Sequence, residues 1–181
     1  MTDVFFEQIL VKKLTKAQAI IKFLFITVAI LTSIVLLFYG FMLIGTLLAP
    51  LCIILMFVVI FGSIWYVKRM YQEYEYALTN GEFDIDRIIG KAKRERIITI
   101  NCRDIEEVGV YDKQTAENFK QRDFDAKVLS ANLMDEGLYY IVVTHSTAGR
   151  VLIVIEPNER IISGLKRFIP RMVQKDVFSG N

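Results

Sequence analysis

The chain has 181 residues, 54% of them hydrophobic, with 22 basic and 20 acidic side chains and a formal net charge of +2. That near balance excludes a nucleic-acid binder, which needs a basic surplus, and two Cys with one His exclude a cysteine-histidine zinc quartet. The length leaves room for one small domain beside any membrane segment.

Residues 1–19 come first. Val4, Phe5 and Ile9 set against Lys12 and Lys13 fit a helical spacing, so this stretch reads as a cytoplasmic lead-in helix. A helix lying in the membrane interface is the alternative. From Phe23 to Val67 no Asp, Glu, Lys, Arg or His occurs, a run bracketed by Lys22 and Lys68. An uncharged apolar run beyond about 18 residues reads as membrane-spanning, and this one is long enough for two spans of about 20 residues and a turn. Gly40, Gly45, Thr46 and Pro50 place the turn between residues 40 and 50, with spans at about Ile20–Phe41 and Leu47–Val67 inside a hairpin covering 20–67. Trp65 and Tyr66 close the second span as interfacial anchors. Lys12, Lys13, Lys16 and Lys22 precede the hairpin and Lys68 and Arg69 follow it, while the turn is uncharged. Both termini are therefore expected in the cytoplasm of a multi-pass cell-membrane protein. No small-x-small cleavage site follows a short apolar core, so the run does not read as a cleaved signal peptide.

Beyond Met70 the period changes. Tyr74, Tyr76 and Leu78 alternate with Glu73, Glu75 and Thr79; Asn80-Gly81 follows, and Phe83 and Ile85 then alternate with Glu82, Asp84 and Asp86. Two alternating runs joined by Asn-Gly predict a β-hairpin. Ile88 and Ile89 end the second strand, Gly90–Lys93 turns, and Arg94–Ile100 returns as a third. Ile105–Tyr111 is a short strand, and 112–137 is polar without a clean period. Leu138–Thr144 and Arg150–Glu156 form a second hairpin whose near-continuous apolar content fits strands buried on both faces. Pro157-Asn158-Glu159 then opens a helix in which Ile161, Ile162, Leu165, Phe168, Ile169, Met172 and Val173 recur at three and four. Lys166, Arg167, Arg171 and Lys175 suit its C-terminal end, and Pro170 should kink or shorten it. The residues after Val67 carry 18 basic and 18 acidic side chains.

Chemistry-bearing residues are few. His145 ends a strand with no orienting carboxylate or nucleophile nearby in sequence, and reads as a polar turn residue. Asp84 and Asp86 share one strand face, where solvation is the default. Gly90-Lys91-Ala92-Lys93-Arg94 lacks phosphate-loop spacing. Cys52 lies in the second span and Cys102 in the head, so no disulfide joins them. The basic turn of Lys91, Lys93, Arg94 and Arg96 is the candidate contact for lipid or partner, although Glu95 interrupts it.

Antiparallel strands closed by one amphipathic helix are the order of a small barrel or sandwich with a plugged end. The stretch Tyr74-Glu75-Tyr76-Ala77-Leu78-Thr79-Asn80-Gly81-Glu82-Phe83-Asp84-Ile85-Asp86, continuing to Arg94, resembles the opening hairpin of bacterial pleckstrin-homology-like domains that follow two spans. With Phe5-Phe6-Glu7-Gln8, Glu156-Pro157-Asn158-Glu159 and Ile169-Pro170-Arg171, the whole chain is similar to a family of small bacterial two-span membrane proteins. The resemblance implies an α+β membrane protein with a cytoplasmic PH-like domain over 70–181, and carries no catalytic residue or cofactor. The expected role is a binding or assembly component acting through a protein partner or self-association at the lipid bilayer, without nucleic acid or cofactor; an anionic-lipid sensor using residues 91–96 is the alternative and an enzyme a distant third.

Overall fold

The computed structural model describes residues 4–133 and 137–174. It divides into Lys13–Gln72 and a head in which residues up to Lys12 join those from Glu73 onward.

The first unit is a pair of apolar helices. α1 (Lys16–Met42) opens on a capping box, in which the Thr15 hydroxyl accepts the Gln18 N–H and the Gln18 side chain accepts the Thr15 N–H. A turn follows in which Gly45 takes φ +91° and Thr46 donates its hydroxyl to the Leu43 carbonyl. α2 (Leu48–Met70) then returns, with Pro50 in its first turn, where the missing N–H interrupts no helical bond. Both helices are long and apolar enough to cross a bilayer. They start earlier or end later than the expected spans because the lysine-bearing turns are helical too. Gly40 permits their close approach, since a Cβ there would stand 3.4 Å from Cys52 Cβ, and Phe25 stacks on Tyr66 with ring centroids 4.5 Å apart. Lys22 donates to the Tyr71 hydroxyl and Arg69 lies over the Trp65 ring.

The head is a sandwich. Its strands are β1 (Phe5–Val11), β2 (Gln72–Thr79), β3 (Glu82–Ile89), β4 (Lys93–Asn101), β5 (Ile105–Val110), β6 (Ala126–Leu129), β7 (Tyr139–His145) and β8 (Gly149–Ile155). One sheet has the order β1-β2-β3-β4 and the other β5-β7-β8-β6. The Asn-Gly hairpin is as expected, with Asn80 at φ +51° and Gly81 at φ +95°, the paired left-handed conformations of a tight hairpin turn.

β1 corrects the reading of residues 1–19 as a lead-in helix. Phe5–Val11 is a strand, antiparallel to β2 in the register Phe5↔Thr79 to Val11↔Glu73. Period two wins there because Phe6 and Leu10 pack against the core while Phe5, Glu7, Ile9 and Val11 face outward. The helix starts only at Lys16. Residues 1–3 of that stretch lie outside the described residues.

The segment 112–137 is also more regular than its polarity suggests. Asp112 accepts the Thr115 N–H to cap α3 (Lys113–Lys120), and β6 pairs parallel with β8. Residues 134–136 are outside the described residues.

The core follows from these faces. Tyr76, Leu78, Phe83 and Ile85 of the first sheet meet Ile141, Val143, Ile153 and Ile155 of the second, and α4 (Glu159–Phe168) closes the cluster with Ile161 and Leu165. On the far face of the second sheet Phe119 of α3 buries Val142 and Leu152, which is why β7 and β8 are apolar on both faces. Asn158 caps α4 by accepting the Ile161 N–H, and Pro170 ends the helical run before the short α5 (Arg171–Gln174), as its ring demands. Lys175 lies outside the described residues.

A buried polar corner ties β1 to the rest. The Tyr76 hydroxyl donates to the Ser130 carbonyl and accepts the Glu156 N–H, while burial holds this phenol well above its usual range. Gln8 donates to the Glu156 carbonyl at 2.8 Å and accepts the Asn158 N–H at 2.7 Å; Asn132 donates to the Val11 carbonyl at 3.3 Å.

A head of residues 72–174 alone should therefore fail to melt cooperatively, because it lacks β1. The same segment with residues 4–11 joined to β2 by a short Gly/Ser turn should give a β-rich circular dichroism spectrum and a single transition. Equal behaviour of the two fragments would contradict the role given to β1. Gly164→Ala offers a second check: a Cβ there would stand 2.7 Å from both Leu78 Cδ2 and Phe6 Cδ2. Thermal melting should show a loss of about 1–3 kcal/mol from that overlap, outweighing the roughly 1 kcal/mol gain in helix propensity.

Candidate functional site

The basic turn lies between β3 and β4, with Gly90 at φ +60° and Lys91 at φ +59°. Because β2 and β3 are joined by a two-residue turn, the β3–β4 turn falls at the end of the sheet where β1 finishes and β2 begins. That is where the chain leaves for the hairpin and returns from it.

The four expected contact residues have different fates. Lys91 is exposed. Lys93 bonds Glu95 at 2.6 Å, and Arg87 reaches the same carboxylate at 2.8 Å. Arg94 pairs with Glu75 and stands 3.9 Å from Asp86. Arg96 bonds Asp86 at 2.5 Å and Asp84 at 2.9 Å, and Thr99 adds a hydroxyl bond to Asp84 at 2.6 Å. The turn is thus mostly neutralised by its own sheet. The default reading of Asp84 and Asp86 as a solvated face is corrected as well: Asp86 is only 5% exposed and Glu75 6%, shielded beneath the arginines.

A β-bulge produces this ladder. The β3–β4 register runs Ile85↔Ile98 and then Asp86↔Arg96, skipping Ile97. Without the extra residue Asp86 would face Ile97; with it, Asp86 faces a guanidinium and Ile97 turns to pack against the core. The adjacent Ile97-Ile98, which breaks the alternation, was the available sequence signal. Glu75 and Arg87 are the members that alternation alone does not single out.

Electrostatics follow the pairing. Lys93 first and Arg87 second hold the Glu95 carboxyl down at about 2, and the Asp86 carboxylate raises Arg96 further above its usual range. On the second sheet Arg122 bonds Glu107 at 2.6 and 2.9 Å and holds it below the ordinary carboxylate range. Burial pushes the Cys102 thiol up to about 12, so it is an unreactive core group, and both cysteines are free.

His145 ends β7. Its Nδ1 accepts the N–H groups of Thr147 at 3.3 Å and Ala148 at 3.2 Å, which assigns the remaining proton to Nε2 in the neutral ring. It borders a cleft of about 200 Å³ with Glu82, Asp104 and Ser146, but meets no carboxylate at hydrogen-bonding distance among the described residues. No group of three or more His, Cys, Asp or Glu among the described residues is placed to hold a metal ion.

A sandwich closed by a C-terminal helix, with two spanning helices set into its β1–β2 connection, defines a membrane protein with a PH-like domain. The family model described as Bacterial PH-like domain (DUF6106) matches residues 2–175, and the chain belongs to that family, whose function is unknown. No curated protein and no solved structure matches the chain.

The Glu95 pairings give a pH test. A carboxyl held low in the folded state contributes stability that is complete above its unfolded value near 4.5 and is lost as pH falls toward about 2. In full-length protein in detergent, Glu95→Gln should lower the melting temperature at neutral pH, and its difference from wild type should shrink across that window. A constant difference down to pH 2 would contradict the pairing.

Proposed function

We propose that the protein is a binding or assembly component in which a two-span hairpin holds a PH-like head at the cytoplasmic face of a bacterial cell membrane. The observation that carries this reading is the outer face of β1. Phe5, Ile9 and Val11 stand 60%, 55% and 57% exposed along an edge strand of the head. Natural sheets blunt free apolar edges with charge, proline or bulges, and here Glu7 is the one charge among four outward side chains, so an edge this apolar fits a protein partner, including a second copy of the chain.

Sidedness rests on the lysines outside the hairpin and the uncharged turn within it. The β1–β2 pairing supports the same arrangement, because it requires both ends of the hairpin on one side of the bilayer. A non-enzymatic role is supported by the use of His145 as a turn cap and of Asp84 and Asp86 in ion pairs. The alternative, an anionic-lipid sensor using Lys91, Lys93, Arg94 and Arg96, is supported by the position of their turn at the hairpin end of the sheet. Against it stand the carboxylates that already engage three of the four.

Cross-linking of the full-length protein in native membranes separates the two. Phe5→Ser with Ile9→Ser should abolish the cross-linked species, while Gln at 91, 93, 94 and 96 should leave it intact; the opposite pattern favours the lipid reading. For topology, Thr46→Cys in a Cys52→Ala, Cys102→Ala background should react with an impermeant thiol reagent on intact cells and Ser146→Cys should not. Labelling at Ser146→Cys alone would overturn the cytoplasmic assignment.

A further inference from the structure

Between the unpaired edges of β4 and β6, where the two sheets separate, lies a cleft of about 300 Å³. Tyr74, Ile97, Val128 and Leu129 form its walls, and Arg87, Arg96 and Lys127 supply its positive charge against the single carboxylate of Glu95. Arg96 is balanced by Asp86 and Asp84 on the sheet's outer face. Arg87, Lys127 and Lys93, the last bonded to Glu95, then leave this edge with a surplus of positive charge.

One group there is unsatisfied. The buried Arg87 Nε–H has no hydrogen-bond partner among the described residues, although the Nη2 of the same guanidinium bonds Glu95 at 2.8 Å. A buried donor left unpaired costs about 1–3 kcal/mol, so native proteins rarely leave one without a reason, and an unseen anionic ligand is one such reason. The exposed Lys127 lines the cleft, and its ammonium, 5.7 Å from the Phe124 ring centroid, is carried on a flexible stem.

We propose that this cleft binds a phosphate group. A tetrahedral anion with several acceptor oxygens can take the Arg87 Nε–H and the Lys127 ammonium together, beside the single bond by which Glu95 holds the Nη2 of Arg87. The phosphate has two sources, a lipid headgroup and a free phosphate ester. Tyr74 follows Met70, the end of α2, by four residues, at most about 14 Å of extended chain, so a lipid headgroup is one of the two sources to be tested. This site lies on the inner side of the sheet and goes beyond the edge-strand reading of function, which does not depend on it.

The test uses full-length protein, in detergent with inorganic phosphate at fixed ionic strength, and in phosphatidylcholine nanodiscs with or without phosphatidic acid. Either phosphate or phosphatidic acid should raise the melting temperature saturably, and the arm that does so identifies the source. Lys127→Gln should weaken the apparent affinity about tenfold or more, the worth of one charge-assisted hydrogen bond. Arg87→Gln should abolish binding, and since it also breaks the Glu95 pair, the reciprocal variant guards against misfolding: Glu95→Gln frees the Arg87 fork and should tighten binding. Lys91→Gln, outside the cleft, should change nothing. The proposal is overturned by an equal response to succinate, by a phosphatidic acid response that survives Lys127→Gln, or by no response in either arm. Loss of cross-linking in the Phe5 and Ile9 variants with phosphate binding intact would separate the two sites.

Discussion

Seven residue pairs, Phe5↔Thr79 through Val11↔Glu73, join two stretches of chain that the entire membrane hairpin separates. The rest of the head depends on that pairing, because β1 supplies Phe6 and Leu10 to the core and Gln8 to the polar corner. Closing a flexible loop as long as residues 12–72 would cost about 4 kcal/mol in chain entropy. Two helices packed against each other in a bilayer remove most of that cost, since their paired ends stand only about 10 Å apart. The hairpin is therefore both an anchor and the folded connection of a β-ribbon.

The polar corner shows why β1 is fixed in one register. Tyr76, Ser130, Asn132 and Glu156 form a polar frame from three other stretches of the chain, and the bonds that tie β1 to it, from Gln8 to the Glu156 carbonyl and the Asn158 N–H and from Asn132 to the Val11 carbonyl, are lost if β1 slips by a residue. A slip would also send Phe6 and Leu10 to the outer face and carry Ile9 inward beside the wrong neighbours. Apolar burial alone is indifferent to which alternate set points in, because Phe5, Ile9 and Val11 are as hydrophobic as Phe6 and Leu10. The Gln8 amide makes the choice, because its slip would leave the Glu156 carbonyl and the Asn158 N–H without their partner.

Much of this fold is legible locally. The Asn80-Gly81 turn, the apolar runs of β7 and β8, and the Asn158 cap with its three-and-four spacing each carry their signal within a few residues. β1 carries none of that kind: its inward set is Phe6, Gln8 and Leu10, interrupted by a polar residue, and its partner lies beyond the hairpin in sequence. A non-local pairing is not written in local periodicity, and the lysines that follow β1 favoured a helical reading. α3 and β6 escaped for a different reason, being eight and four residues long, too short for either period to repeat. The cleft between β4 and β6 was illegible for the same cause, since its Lys127 sits on the unrecognised strand.

Charge placement distinguishes the two sides of the first sheet. A bulge at Ile97 spends Arg94 and Arg96 on Glu75, Asp84 and Asp86, so the outer face is a closed ladder with little field to offer a membrane. The same bulge turns Ile97 inward, where it lines the cleft beside β6 together with Arg87, Lys127 and the carboxylate of Glu95. The basic charge is thus neutralised where the sequence displays it, and a surplus stands where the sequence hides it. Counting charges along the turn overstates its attraction for anions, because attraction depends on which cations lack a carboxylate partner, and that is decided by strand register.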